Sequence, residues 1–211
     1  MRPIAVIDNT VLANFLDAGQ AELLQKAQVV FGHFLVPLKV KEEFLNVDNA
    51  YLPQRLNFLQ NITSETEGFY RLCSSYDLIT LGIAQSLVSS GLHSGEAEAI
   101  AQARKRNVKF FLTDDRDCAE IINREFSWLL PMRTFCLIAI LEIHGLIPNA
   151  VETWRFFHGK VGFTHEQLKQ AVKDAFSILG VRPDKTTFSE LTSWKRIFGH
   201  PPKRKPSNKT K

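Results

Sequence analysis

The 211-residue chain is short of the residues that build covalent frameworks and zinc sites. Its three cysteines, Cys73, Cys118 and Cys136, form no CxxC pair. An odd, scattered set excludes a disulfide scaffold and reads as buried thiols. The six histidines show neither HxH nor HExxH spacing, so zinc chemistry has no ligand set. No apolar run is long enough to cross a bilayer. The opening MRPIAVIDNT lacks the apolar stretch and small-residue cleavage site of a signal peptide. The expected location is cytoplasmic, with no membrane partner.

What is present is ordinary globular material with an uneven charge. Hydrophobic residues make up 45% of the chain, enough to fill a core. The net charge of +4 sits at one end: residues 195–211 hold seven of the 26 Lys and Arg residues and no acid, leaving 19 bases against 22 acids in the rest. This Pro/Lys-rich tail reads as disordered, serving solubility or nonspecific attraction to phosphates.

Short apolar runs alternate with helical patterns. IAVID, from Ile4, predicts a buried strand ending in a carboxylate, followed by a helical pattern broken near Gly19. FLVP predicts a second strand and LKVKEEFLNV a second helix. Residues 50–75 are mixed, with a helix around QRLNFLQ and a strand at FYRLC. Helices are expected over 76–89 and 94–106, and VKFFLT (108–113) is the clearest strand, apolar almost throughout like an interior parallel strand. WLLP (128–131) reads as another. Helices follow over 134–144, 152–158 and 164–179, the last with Thr164 and Gln167 in capping-box spacing. The alternation implies right-handed crossovers, a mainly parallel sheet between two helical layers, and a helical addition beyond residue 134. The expected division is 1–148 for the α/β domain, 149–194 for a packed helical extension and 195–211 for the tail.

In open parallel sheets, functional groups gather where strands end at their carboxyl edge. Asp8 ends the first strand and Asp114 the VKFFL strand. The second is followed at once by Asp115 and Asp117, a crowd of carboxylates that repel unless water or a cation intervenes. Helix N-capping is the plain alternative for each. In SGEAEAIAQARK, Glu96 shares its row with Ala99, Ile100 and Ala103, whereas Glu98 shares its row with Gln102 and Lys105, the expected solvent face. In LKVKEEFLNV, Glu43 lies beside Val40, Phe44 and Val47, and Glu42 points away. The four stations are therefore Asp8, Glu43, Glu96 and the Asp114/Asp115 pair. An all-oxygen set suits Mg²⁺ or Mn²⁺.

Four segments in order, VIDNTVLANFL, VPLKVKEEFL, GEAEAIAQA and FLTDDRD, together with the helix CLIAILEIHGLI, resemble the PIN-domain family, the fold of VapC-type toxins and several RNA-processing nucleases. The resemblance runs from Ile4 to Ile147 and continues weakly beyond. It implies a three-layer α/β/α fold and a Mg²⁺- or Mn²⁺-dependent endoribonuclease acting on single-stranded or structured RNA. Asp8, Glu43, Glu96 and Asp114 would be the metal ligands and catalytic acids, with Asp115 as contender for the fourth place. Thr10 would orient the carboxylates, and Asn9 and Arg116 would contact substrate. The family setting adds an antitoxin-type protein inhibitor and a homodimer as partners, and leaves DNA open as substrate. DNT in place of Asp-Thr-Ser or Asp-Thr-Asn, and the long C-terminus, depart from a minimal toxin. Two other readings fit the residues: a catalytically silent nucleic-acid-binding or assembly module, and a Mg²⁺-dependent phosphohydrolase on another doubly wound fold. The aspartyl-phosphatase pattern wants an Asp where this chain has Thr10.

Overall fold

The structure is a computed structural model describing residues 2–46, 51–60, 62, 64–74, 77–157 and 165–180. Five parallel strands form one sheet: β1 (Ile4–Ile7), β2 (His33–Pro37), β3 (Tyr70–Cys73), β4 (Phe110–Leu112) and β5 (Leu130–Met132), in the order β3-β2-β1-β4-β5. The helices are α1 (Asn9–Asp17), α2 (Ala21–Lys26), α3 (Leu38–Leu45), α4 (Leu52–Leu59), α5 (Leu78–Ser89), α6 (Ser94–Lys105), α7 (Arg116–Glu125), α8 (Thr134–Ile143), α9 (Ala150–Trp154) and α10 (His165–Ile178). The expected α/β/α fold with a parallel sheet is the one observed.

Strand periodicity divides the apolar residues between two cores. Ala5, Ile7, Phe34, Val36 and Leu112 enter a core with Phe15, Phe44, Phe135 and Phe176. Val6, Leu35 and Phe111 enter a second core with Ile100, Cys118 and Ile122. The strands are covered on both faces, which is why they read as unbroken apolar runs.

The chain builds β1, β2 and β3 in one direction and then returns to place β4 on the other side of β1. That reversal sets the switch point of the sheet at the carboxyl ends of β1 and β4, where open α/β sheets have the crevice that binds ligands. The Asp8 amide donates to Leu112 O at 2.9 Å, so the two strand ends are locked in register there.

Three elements differ for local reasons. The segment at 128–131 forms its strand two residues later, because Leu130 N pairs with Lys109 O. A helix that the periodicity did not assign, α7, follows the aspartate run, and Asp115 is its cap, the helix-start alternative for that residue. The helix expected at 152–158 starts at Ala150, capped by Asn149. Thr164 and the tail lie outside the described residues, as does the part of the proposed 149–194 extension beyond residue 180.

Candidate active site

Asp8 sits at the C-terminal end of β1 and caps α1, only 2% exposed. Its Oδ2 accepts from Thr10 Oγ1 (2.7 Å), Thr10 N (3.4 Å) and Thr113 Oγ1 (3.3 Å). Burial pushes its pKa up, and these bonds oppose the rise. Thr10 does a second job, since its Oγ1 accepts from the Asp114 amide at 3.1 Å, tying the turn after β4 to the start of α1. The neighbouring Asn9 Oδ1 is buried without a hydrogen-bond partner, and such an atom normally has one in a complete site.

Glu96 stands in the first turn of α6, 6% exposed, and accepts from His93 N at 3.1 Å. Burial raises its pKa to about 7, helped by the charges of Asp115, Asp8 and Glu43. The buried Cys118 thiol is pushed up by burial and then by Glu96, Asp8 and Asp115, with a hydrogen bond to Glu96. Carboxylates from β1, α3, α6 and the start of α7 therefore act on one small region at the crevice.

Glu43 reaches that region from α3. Its Oε1 accepts from Ser94 Oγ and Gly95 N, both at 3.0 Å, so the carboxylate rests on the positive end of the α6 dipole. A Cβ at Gly95 would overlap this carboxylate, lying 2.8 Å from its carboxyl carbon. Gly95 is a site residue that face-by-face reading of the acids missed. Its signal was a glycine in the first turn of a helix, where it costs stability unless something approaches closely.

The adjacent aspartates diverge. Asp114 Oδ2 accepts from Asn14 Nδ2 at 2.6 Å and from Thr134 Oγ1, and its Oδ1 accepts from Thr134 N at 2.8 Å. It joins β4 to α1 and α8. Burial raises its pKa against those bonds. Asp115 instead caps α7 through Cys118 N (2.8 Å), and its charge is the largest carboxylate influence on Glu96.

Two further residues have other occupations. Arg116 Nε donates to Glu120 Oε1 at 2.7 Å, an exposed pair one helical turn apart. Such pairs are worth little and leave the guanidinium in solvent. Glu98 corrects the solvent-face reading: it is 6% exposed, and its two oxygens accept from Leu38 N (2.8 Å) and Lys39 N (3.0 Å), capping α3. The reason is that α6 is enclosed by the sheet, α3 and α5, and its alternating alanines are buried all round.

The donor set is oxygen-only and suits a hard divalent cation. The buried carboxylates of Asp8 and Glu96, the latter raised also by its acidic neighbours, and the orphaned Asn9 Oδ1 fit such a group. Among the described residues no three potential ligands already converge tightly enough to hold an ion. Also among the described residues, no helix is long and apolar enough to cross a membrane.

No curated protein matches the chain. A family profile described as DUF3368: PIN domain matches residues 4–153, from β1 into α9. That span covers most of the chain and all the acidic stations, and the chain belongs to this PIN-domain family.

Proposed function

We propose that the protein is a metal-dependent endoribonuclease that hydrolyses phosphodiester bonds in RNA. The observation that carries this reading is the set of carboxylates that four separate elements bring to the carboxyl edge of β1 and β4, where Asp115, Asp8 and Glu43 act on Glu96. PIN domains are in the main nucleases, and their nucleic-acid substrates and divalent metals agree with that chemistry.

Asp8, Glu96 and Asp115 would hold Mg²⁺ or Mn²⁺, with Glu43 beside them on the α6 N-terminus. When bound, the cation supplies Lewis-acid activation of water and stabilises charge on the phosphoryl group. Thr10 and Thr113 fix Asp8 in one orientation, which keeps the cluster preorganised. Glu96, whose pKa burial and its acidic neighbours raise to about 7, is placed to hold a proton at its carboxyl group. Asp114 is a positioning residue, because donors on α1 and α8 engage both of its oxygens, whereas the three donors from Thr10 and Thr113 all meet Asp8 on Oδ2. Asn9 presents a buried acceptor to substrate or ordered water.

The test is incubation of single-stranded RNA and DNA with the wild type and Asp8→Asn, in Mn²⁺ or EDTA. RNA cleavage should require Mn²⁺ and fall by orders of magnitude in the variant, because water activation and charge stabilisation both depend on the cation. Wild-type cleavage by a folded Asp8→Asn protein would reduce Asp8 to a helix cap and end the proposal. RNA binding without cleavage would favour the silent module. A VapC-type toxin role, with a protein inhibitor and a homodimer, remains part of this reading through the motifs alone.

A further inference from the structure

The amino edge of the sheet, opposite the acidic crevice, carries a cavity of about 270 Å³ lined by Arg2, Ile4, Arg106, Asn107, Lys109 and Phe110, among others. It lies where β1 and β4 begin, against the C-terminal end of α6. Asn107 makes the corner in a left-handed conformation (φ 52°), so that the chain leaves α6 and turns into β4. The fold thereby brings three cationic side chains from two chain segments to one concavity, with no carboxylate among its lining residues.

The positive field extends beyond the lining. His33, at the start of β2, is half-buried, and its pKa is lowered by desolvation and then by the charges of Arg71 and Arg106. Two described carboxylates act near this end: Glu65 accepts from Ser74 and feels the charges of Arg106 and Lys105, and Asp77 caps α5 and pairs with Lys105 at 3.2 Å. Arg2 spends one nitrogen on Gln28 O, and Arg106 spends Nε on Gln102 at 3.4 Å. Both guanidiniums keep further N–H groups, and Lys109 is exposed. Arg and Lys around a concave floor with no carboxylate in its lining are suited to phosphate, which accepts bidentate bonds from Arg.

We infer that this cavity is a second nucleic-acid contact, binding backbone phosphates of an RNA strand whose scissile bond lies at the carboxyl edge. The strands that join the two edges here, β1 and β4, are four and three residues long, so the two sites are separated by only about 10–13 Å of sheet. A strand that wraps this short dimension meets the catalytic carboxylates at one end and cations at the other. The cations compensate for the carboxyl edge, which by itself repels a polyanion. The inference rests on the nucleic-acid reading of the PIN fold but not on cleavage.

The experiment measures binding of labelled RNA to the full chain in EDTA, which suppresses metal-dependent cleavage. It compares a tetranucleotide with an RNA of about 25 nucleotides, which bracket the usual range of single-strand site sizes. The Arg106→Gln/Lys109→Gln double variant should lose about tenfold in affinity for the long RNA and bind the tetranucleotide unchanged. Its log–log salt slope should fall by about 1.4, the release expected for two single-strand phosphates. Lys173→Gln, an exposed lysine on α10, should change neither quantity. Arg2→Gln should reproduce the direction with a smaller change, and it carries the test if the double variant melts abnormally.

Unchanged affinity and slope in these variants would overturn the inference. So would calorimetry in which inorganic phosphate or a 5′-mononucleotide loses binding in the double variant while long-RNA affinity persists, because the cavity would then take a free phosphate. Long-RNA binding through this cavity in a chain that never cleaves RNA would uphold the inference and sink the nuclease proposal instead.

Discussion

The two ends of the sheet present opposite electrostatic problems. At the carboxyl edge, Asp8, Glu96, Asp115 and Glu43 crowd into a largely buried crevice, and their stability comes from backbone amides and hydroxyls rather than from cations. At the amino edge, Arg2, Arg106 and Lys109 surround a concavity whose lining carries no acid. The five strands are the same; only the polarity of the turns differs. Short turns after parallel strands open helices, and their N-termini favour acids. Turns into parallel strands follow helix C-termini, where bases are favoured. In this chain the two edges thus carry opposite charge, and a divalent cation would offset the repulsion at the acidic one.

Sharpening this comparison means separating acids that serve the crevice from acids that serve the fold. The largest expected contrast is between neighbours. Asp115→Asn keeps an equally good helix cap, so its melting temperature should stay near wild type while Mn²⁺-dependent cleavage falls by orders of magnitude. Asp114→Asn turns an amide group toward the donors of Asn14 or Thr134, costing about 1–3 kcal/mol. At this chain length that is a loss of several degrees in melting temperature, and calorimetric melting of both variants checks it. A reversed pattern would move the fourth acid from Asp115 to Asp114.

A medium-sized effect is expected at Glu98. Glu98→Ala strips the acceptors from the first two amides of α3, which should cost about 1–3 kcal/mol and lower activity only through the displacement of Glu43. Glu98→Ala with wild-type melting would mean that α3 finds other caps.

The smallest effect concerns pH in the metal-free protein. Folded Glu96 holds its proton to about pH 7, against an ordinary value of 4.5. Between these values the unfolded chain binds fewer protons than the folded one, so the Glu96 contribution makes stability fall as pH rises, levelling off above about 7. Glu96→Gln should flatten that slope in melting temperatures recorded in EDTA and be the more stable protein at pH 8. An identical slope in both proteins would mean that Glu96 titrates normally.

Much of this is legible in the sequence alone. The apolar runs at Ile4, Phe34 and Phe110 predicted buried parallel strands, because both faces of each meet a core. The ordered acids predicted the family. What was hidden depends on neighbours. Glu98 looks solvated on a helical wheel, and only the packing of α3 and α5 against α6 buries it. Asp114 and Asp115 both follow β4. Their divergence is decided by the donors that reach them, Thr134 and Asn14 for one and the first turn of α7 for the other. The cations of the amino edge were invisible as a group, since Arg2 and Lys109 are brought together only by the β1/β4 pairing.

The most direct test of the carboxyl edge is calorimetric titration of Mn²⁺ into the wild type and Asp8→Asn near pH 6.5, in buffers of different ionisation enthalpy. Wild type should bind saturably and release protons, because the cation displaces the proton that Glu96 holds up to about pH 7. Asp8→Asn should bind far more weakly with the same fold. Equal Mn²⁺ binding by the two proteins would contradict the assignment of this crevice as the metal site.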